Sequence, residues 1–295
     1  MRKIDVVIVG AQKAGTTSLN NYLSEHPEIL GHPQTEFAYF RDDNEYQQDF
    51  DSVFKRYFTV GSFSSKIVLA KNVGIYDNEK AIERLFNHNP KCKIIFVLRE
   101  PVSRAISSYY MEKFNGWLKK DLEEVKDVIE KKDYNNVLYR LFINKGLYSK
   151  HLKTLMKYFP EENIKVYLFE ELKSNSEGIY KDICSWIGVE NSYLPNLQEI
   201  HNPTFQAKSK LYTSLLLKLR NNRNPIKRFV KFILPYSTFT RLGNHLIESN
   251  KSNKKPNPIS NELKNYLYDY FKPYNNELSE MTNVNLDVWD KNYNA

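Results

Sequence analysis

After the β-branched run Val6-Val7-Ile8-Val9, the sequence places Gly10-Ala11-Gln12-Lys13-Ala14-Gly15-Thr16-Thr17-Ser18. Two glycines permit a tight loop, and a hydroxyl-rich exit suits the start of a helix. Free N–H groups at such a start, with the positive end of the helix dipole, stabilise an anion set against them. The chemistry indicated is phosphate binding. Loops that hold nucleoside triphosphates carry Lys directly after the second glycine and Ser or Thr next. Here Thr16 takes that place, and Lys13 sits inside the loop, where its ammonium can reach a bridging oxygen or a sulfo group. We read Lys13, Ala14, Gly15, Thr16, Thr17 and Ser18 as a phosphate cradle built without a metal.

Three further positions have types suited to the same chemistry. Arg99 follows the buried run Lys93–Leu98, where a triphosphatase would prefer an aspartate to hold magnesium. Its guanidinium offers a cationic fork for phosphate, and Ser107, about two helical turns on, can donate a hydroxyl. Glu36 precedes Phe37, Tyr39 and Phe40. A carboxylate bedded among those rings would be partly desolvated, which raises its pKa and strengthens it as a base. Lys71 closes the run from Lys66 to Ala70, and ligands of open parallel sheets bind at the carboxyl ends of strands.

The segment Lys13-Ala14-Gly15-Thr16-Thr17-Ser18-Leu19, followed by Leu23, His26-Pro27 and Glu36 through Phe40, resembles the sulfotransferase superfamily. The nearest likeness is to the branch that includes heparan sulfate and bacterial sulfotransferases. It runs from the first residues to Trp289 and is weak only from about Lys208 to Pro258. The resemblance implies 3′-phosphoadenosine 5′-phosphosulfate (PAPS) as co-substrate, 3′,5′-bisphosphoadenosine (PAP) as product, and no metal. It implies Glu36 as the base that takes the acceptor's proton, and Lys71 beside the acceptor and the transferring sulfo group. Arg99 and Ser107 match the family's 3′-phosphate site, and Lys208, in a loop that closes over the nucleotide, matches another phosphate contact. Thr35 stands where a lysine usually precedes the glutamate, and Asn72-Val73-Gly74 where Ser or Thr and Pro often follow the lysine.

The elements needed to position these groups are those of an α/β protein with a P-loop-like, three-layer fold: a central parallel sheet flanked by helices. Strands are predicted near Val6–Val9, Lys66–Ala70, Lys93–Leu98 and Ile164–Phe169, with helices over Thr16–Glu25, about Gln47–Phe58, Ala81–Phe86, Trp117–Phe142, Tyr148–Phe159, Ile179–Ile187 and Leu263–Phe271. Glu170-Glu171-Leu172 follows the last strand as in the family. Leu286–Trp289 is expected to dock the end of the chain. His151 and Arg104 read as structural.

With 295 residues, 41% hydrophobic and 26% charged, the chain has the composition of a globular protein, and one sulfotransferase domain over residues 1–295 is expected. Two cysteines, Cys92 and Cys184, exclude a disulfide framework and read as reduced core thiols. The net charge of +8 is uneven. From Lys208 to Lys255 twelve Lys and Arg stand against Glu248 alone, a net of +11, so the remainder carries −3. This basic helical segment, about 208–258, could attract an acidic polysaccharide, a nucleotide or an anionic membrane surface, could offer a lipid-acceptor surface, or could simply pack its leucines onto the body. No secretory signal precedes the first strand, and no apolar run approaches the roughly 20 residues needed to span a bilayer, so a full-length chain is expected in the cytoplasm.

The acceptor implied is a hydroxyl or amine of a carbohydrate or glycolipid, with a lipid, sterol or other small alcohol as the alternative and no nucleic acid expected. Two other readings use the same loop. A small-molecule kinase would need Lys after Gly15 and Asp after Leu98, both missing here. A silent nucleotide-binding protein would tolerate loss of Glu36 and Lys71, yet both are present.

Overall fold

Strands β1 (Val6–Gly10), β2 (Ile29–Leu30), β3 (Ile67–Lys71), β4 (Lys93–Leu98) and β5 (Ile164–Leu168) form one sheet in the computed structural model, in the order β2-β3-β1-β4-β5. All four pairings are parallel. The structure describes residues 2–32, 36–58, 67–197, 206–207, 251–252 and 258–290. Every residue of β1 is buried, as are all but the first of β4. Strands buried on both faces need helices on both faces, so the continuous apolar runs of the sequence translate into a three-layer α/β fold.

The chain leaves β1 at the sheet centre, runs outward to β2, returns through β3 and then crosses to β4 on the other side of β1. That reversal makes the carboxyl end of β1 the switch point at which open α/β sheets bind ligands. The register between β1 and β4 also slips there, between Ile8 and Gly10.

Helix α1 (Thr16–Glu25) follows the loop and buries Leu19, Tyr22 and Leu23, the stripe its spacing predicts. Helices α2 (Asp43–Tyr46) and α3 (Phe50–Tyr57) come next, each started by an aspartate, Asp42 or Asp49, that accepts backbone N–H bonds. Helix α4 (Glu79–His88) is capped by Asn78, and α5 (Pro101–Phe114) begins with the helix-compatible proline. Glu100, buried, receives the N–H groups of Val102 and Ser103 at 2.6 Å each, closing the start of α5.

The continuous helix expected over Trp117–Phe142 is broken. A 3₁₀ turn at Leu122–Glu124 leads into α6 (Val125–Glu130), and a π turn covers Tyr139–Ile143. Asp121 and Glu124 form a reciprocal capping box that starts the helix late, and left-handed Lys132 (φ 53°) follows its end. Helix α7 (Tyr148–Tyr158) packs through Leu152 and Leu155. The last strand ends one residue earlier than its apolar run suggests, because Phe169 opens α8 (Phe169–Ser174). Helix α9 (Ser176–Ile187) closes on left-handed Gly188. Helix α10 (Asn261–Thr282) continues well past Phe271 and through Pro273, because Leu278 extends the buried row of Leu263, Leu267 and Phe271. A short helix, α11 (Asp287–Asp290), buries Trp289.

Two compact units divide the chain: Met1–Arg104 with Ile143–Asn202 and Asn265–Ala295, and Ala105–Phe142 with Pro203–Lys264. The first contains the sheet. In the second, Glu123 accepts both the N–H (3.0 Å) and the hydroxyl (2.9 Å) of Ser260, and Lys126 pairs with Glu262 at 3.0 Å. A two-residue antiparallel ladder joins Gln206–Ala207 to Lys251–Ser252. Lys208 and the rest of the basic segment up to Pro256-Asn257 lie outside the described residues, apart from that ladder. Cys92 and Cys184 are both buried and unpaired as disulfides. No described helix is long and apolar enough to cross a membrane.

Candidate active site

The loop after β1 is shaped by what crowds its glycines. A Cβ on Gly10 would lie 2.4 Å from the Tyr76 ring. Gly15 has φ 76°, and a Cβ there would stand 2.9 Å from the Phe169 ring and 3.2 Å from Leu172. Lys13 is left-handed as well (φ 73°), although it has a side chain. Such turns, alternating with ordinary residues, direct successive N–H groups into one concavity suited to an anion. Gly15 caps α1 without any side-chain hydrogen bond, which leaves the first-turn N–H groups to the concavity. Around it Ala14 and Thr16 are buried, and Lys13, Thr17 and Ser18 are half-buried.

The end of β4 holds the loop in place. Ala11 donates its N–H to the Val97 carbonyl at 2.6 Å, and Arg99 donates from Nη1 to the Lys13 carbonyl at 3.1 Å. The Arg99 guanidinium lies over the Phe169 ring, 4.9 Å from its centroid, a cation–π contact on the residue that also walls Gly15. Burial draws its pKa below the usual arginine value, while the carboxylates of Glu170 and Glu100 act in the opposite sense. An arginine starts so high that it stays cationic throughout the working range. Ser107 lies on α5, 9% exposed, in the second compact unit. Its pairing with Arg99 rests on their spacing in the chain.

At the other side of β1, Glu36 and Lys71 meet. Lys71 Nζ donates to Glu36 Oε1 at 2.7 Å, and the Val73 N–H donates to Oε2 at 2.8 Å. Lys71 is 1% exposed and Glu36 34%, so the ammonium is interior while the carboxylate reaches solvent. Lys71 is registered beside Ile8 on β1, which places the pair at the same sheet edge as the loop. The rings expected to bed the carboxylate turn elsewhere. Phe37, Tyr39 and Phe40 are buried among Tyr57, Phe58 and His88, and the carboxylate is held by polar partners instead. The physical reason is chain direction: the Phe37 N–H bonds the Lys71 carbonyl at 2.7 Å, sending the aromatic run inward after Glu36.

Asn72 ties this corner together. Its Nδ2 donates to the Phe37 carbonyl at 2.9 Å, and its Oδ1 accepts the Gly74 N–H at 3.0 Å. The turn so formed presents the Val73 N–H to Glu36. Sequence reasoning missed Val73, because a backbone donor has no side-chain signature. It also missed Phe169 and Tyr76, both of which follow strand ends at the binding edge, the one signal that could have found them.

A family profile described as a sulfotransferase domain matches residues 3–233. The chain is 23% identical over 283 residues to the human bifunctional heparan sulfate N-deacetylase/N-sulfotransferase 3, covering 93% of this chain and 29% of that protein. It is 29% identical over 164 residues to human heparan sulfate glucosamine 3-O-sulfotransferase 5, covering 54% of this chain and 46% of that one. This chain therefore spans less than half the length of either relative. Among solved structures, a sulfotransferase from Alicyclobacillus acidocaldarius superposes with a TM-score of 0.66 at 21% identity, over 98% of this chain and all of the other. The family match covers the strand, the glycine loop, the helix after it and the Glu36–Lys71 corner, and the chain belongs to the sulfotransferase domain family.

Proposed function

We propose that the chain moves a sulfo group from PAPS to a hydroxyl or amine of a carbohydrate acceptor, by in-line displacement with Glu36 as the base. The observation that carries this reading is the Glu36 carboxylate, fixed by Lys71 and Val73 yet open to solvent, at the sheet edge that also bears the loop. Each carboxylate oxygen keeps lone pairs after one hydrogen bond, so an acceptor group can donate to it. As the acceptor oxygen or nitrogen bonds to sulfur, its proton passes to Glu36 and the bond from sulfur to the bridging phosphate oxygen breaks. Charge growing on that leaving oxygen is met by the N–H groups at the start of α1 and by Lys13.

Lys71 is assigned two roles, orienting the carboxylate and stabilising the sulfo oxygens. Its buried ammonium on Glu36 supports the first role. Arg99 is assigned to the 3′-phosphate by the resemblance to the family, and it stands beside the loop. A carbohydrate acceptor is supported by the heparan sulfate sulfotransferases among the relatives. The test is transfer of labelled sulfo groups from PAPS to a panel of oligosaccharides, sterols and simple alcohols. Labelled oligosaccharide is the expected product. Label found only on sterol or alcohol would overturn the acceptor assignment, and no transfer to any acceptor would overturn the reaction.

A further inference from the structure

Trp289 is far from the loop in sequence, yet it touches both supports of Arg99. Its indole is 1% exposed, and its Nε1–H donates to Glu170 Oε2 at 3.1 Å. A buried indole N–H needs a partner, and a carboxylate is a strong one. Glu170 directly follows Phe169, whose ring seats the Arg99 guanidinium and walls Gly15. Its other oxygen, Oε1, faces the N–H of Glu100, the residue after Arg99, at 3.5 Å. On the second side the Trp289 ring lies 6.1 Å from that of Tyr148, whose hydroxyl donates to the Arg99 carbonyl at 2.9 Å. Burial pushes the Tyr148 pKa up, so that hydroxyl keeps its proton.

From this geometry we propose that Trp289 and Glu170 form a clasp that positions Arg99 for the nucleotide. The inference rests on the reading of Arg99 as a nucleotide-phosphate residue given above. Helix α8 has only six residues and its N-cap, Leu168, makes no side-chain cap, so its own hydrogen bonds hold Phe169 weakly. The clasp supplies the missing anchor. Arginine is long and rotamer-rich, and a seat that fixes it before binding removes an ordering cost from the affinity. Trp289 and Glu170 are positioning residues, since both act through Arg99 and its supports.

A binding cycle with PAP tests this. By calorimetry, Trp289→Phe, which keeps an aromatic side chain but removes the indole N–H, is expected to weaken PAP binding about tenfold in the otherwise native chain. In an Arg99→Ala background the same change should alter affinity by less than about twofold, because the residue being positioned is gone. A merely structural role would weaken binding equally in both backgrounds, and that result, or no loss in either, would overturn the clasp. Should Trp289→Phe fail to fold, judged by thermal melting, Glu170→Gln takes its place in the same cycle with the same expectations. Failure of the native chain to bind PAP would overturn the nucleotide reading itself, and the clasp with it.

Discussion

The two flanks of β1 solve the problem of holding charge in different ways. On the β3 side, Glu36 and Lys71 are a side-chain pair whose acidic oxygens each have one fixed donor. On the β4 side, the loop is built from backbone: left-handed Lys13 and Gly15, uncapped N–H groups at α1, and an arginine that donates to a main-chain carbonyl. The proposed base must be aimed, and its side-chain and backbone partners do that. A phosphate needs many donors in fixed places, which peptide N–H groups provide without the conformational freedom of long side chains. The contrast predicts that the β3 flank tolerates substitution structurally but loses chemistry, whereas the β4 flank loses shape.

Two measurements sharpen or break that contrast, and a third supplies a reference outside it. The largest effect is expected from Glu36→Gln, which keeps the size of the side chain, removes the base and leaves only one acceptor oxygen for the two donors Lys71 and Val73. Transfer from PAPS should fall about 10³-fold, within the range for general-base loss, with PAP affinity unchanged. A loss of affinity instead would place Glu36 in nucleotide binding. Next comes Gly15→Ala, a change confined to the loop. The left-handed backbone and the Phe169 ring at 2.9 Å make it destabilising, by about 1–3 kcal/mol, with a lowered unfolding midpoint and weakened PAP binding. An unchanged midpoint would mean that the loop can shift its backbone freely.

The smallest effect comes from outside both flanks. His88 accepts the Ile4 N–H through Nε2 at 3.0 Å and is packed on Phe50, and burial lowers its pKa from 6.5 to about 4. Between pH 6.5 and 4 the unfolded chain binds the proton that the folded chain refuses, so this contribution is full above pH 6.5 and is lost as pH falls toward 4. With partial exposure discounted, it amounts to about 1–2 kcal/mol. Chemical denaturation of the native chain and of His88→Gln at pH 7 and pH 5 reads it. The native chain should lose more stability on acidification than the variant, and equal losses would remove His88 from the account.

What was legible in the sequence follows the same division. The spans of α1 and β4 are as read, and β1 differs only by its closing Gly10, because uninterrupted burial leaves an uninterrupted apolar run and α1 has a clean stripe. The loop was visible because only its glycines fit beside Tyr76 and Phe169. Glu36 and Lys71 were each singled out, and the structure brings them together. Invisible were the contacts that depend on neighbouring backbone: the Val73 donor, the inward turn of Phe37 after Glu36, and the capping box at Asp121 that breaks a stretch of helix-like residues. Phe169 was hidden for another reason. An aromatic at the end of an apolar run reads as the last residue of a strand, and here it is the first of a helix.

The most direct test of the central claim is calorimetric titration of the chain with PAP beside ATP plus magnesium, repeated with Arg99→Ala. The account predicts that PAP is bound in preference and that the variant loses this preference. Preference for ATP with magnesium, insensitive to Arg99, would contradict it and return the loop to a phosphoryl-transfer enzyme.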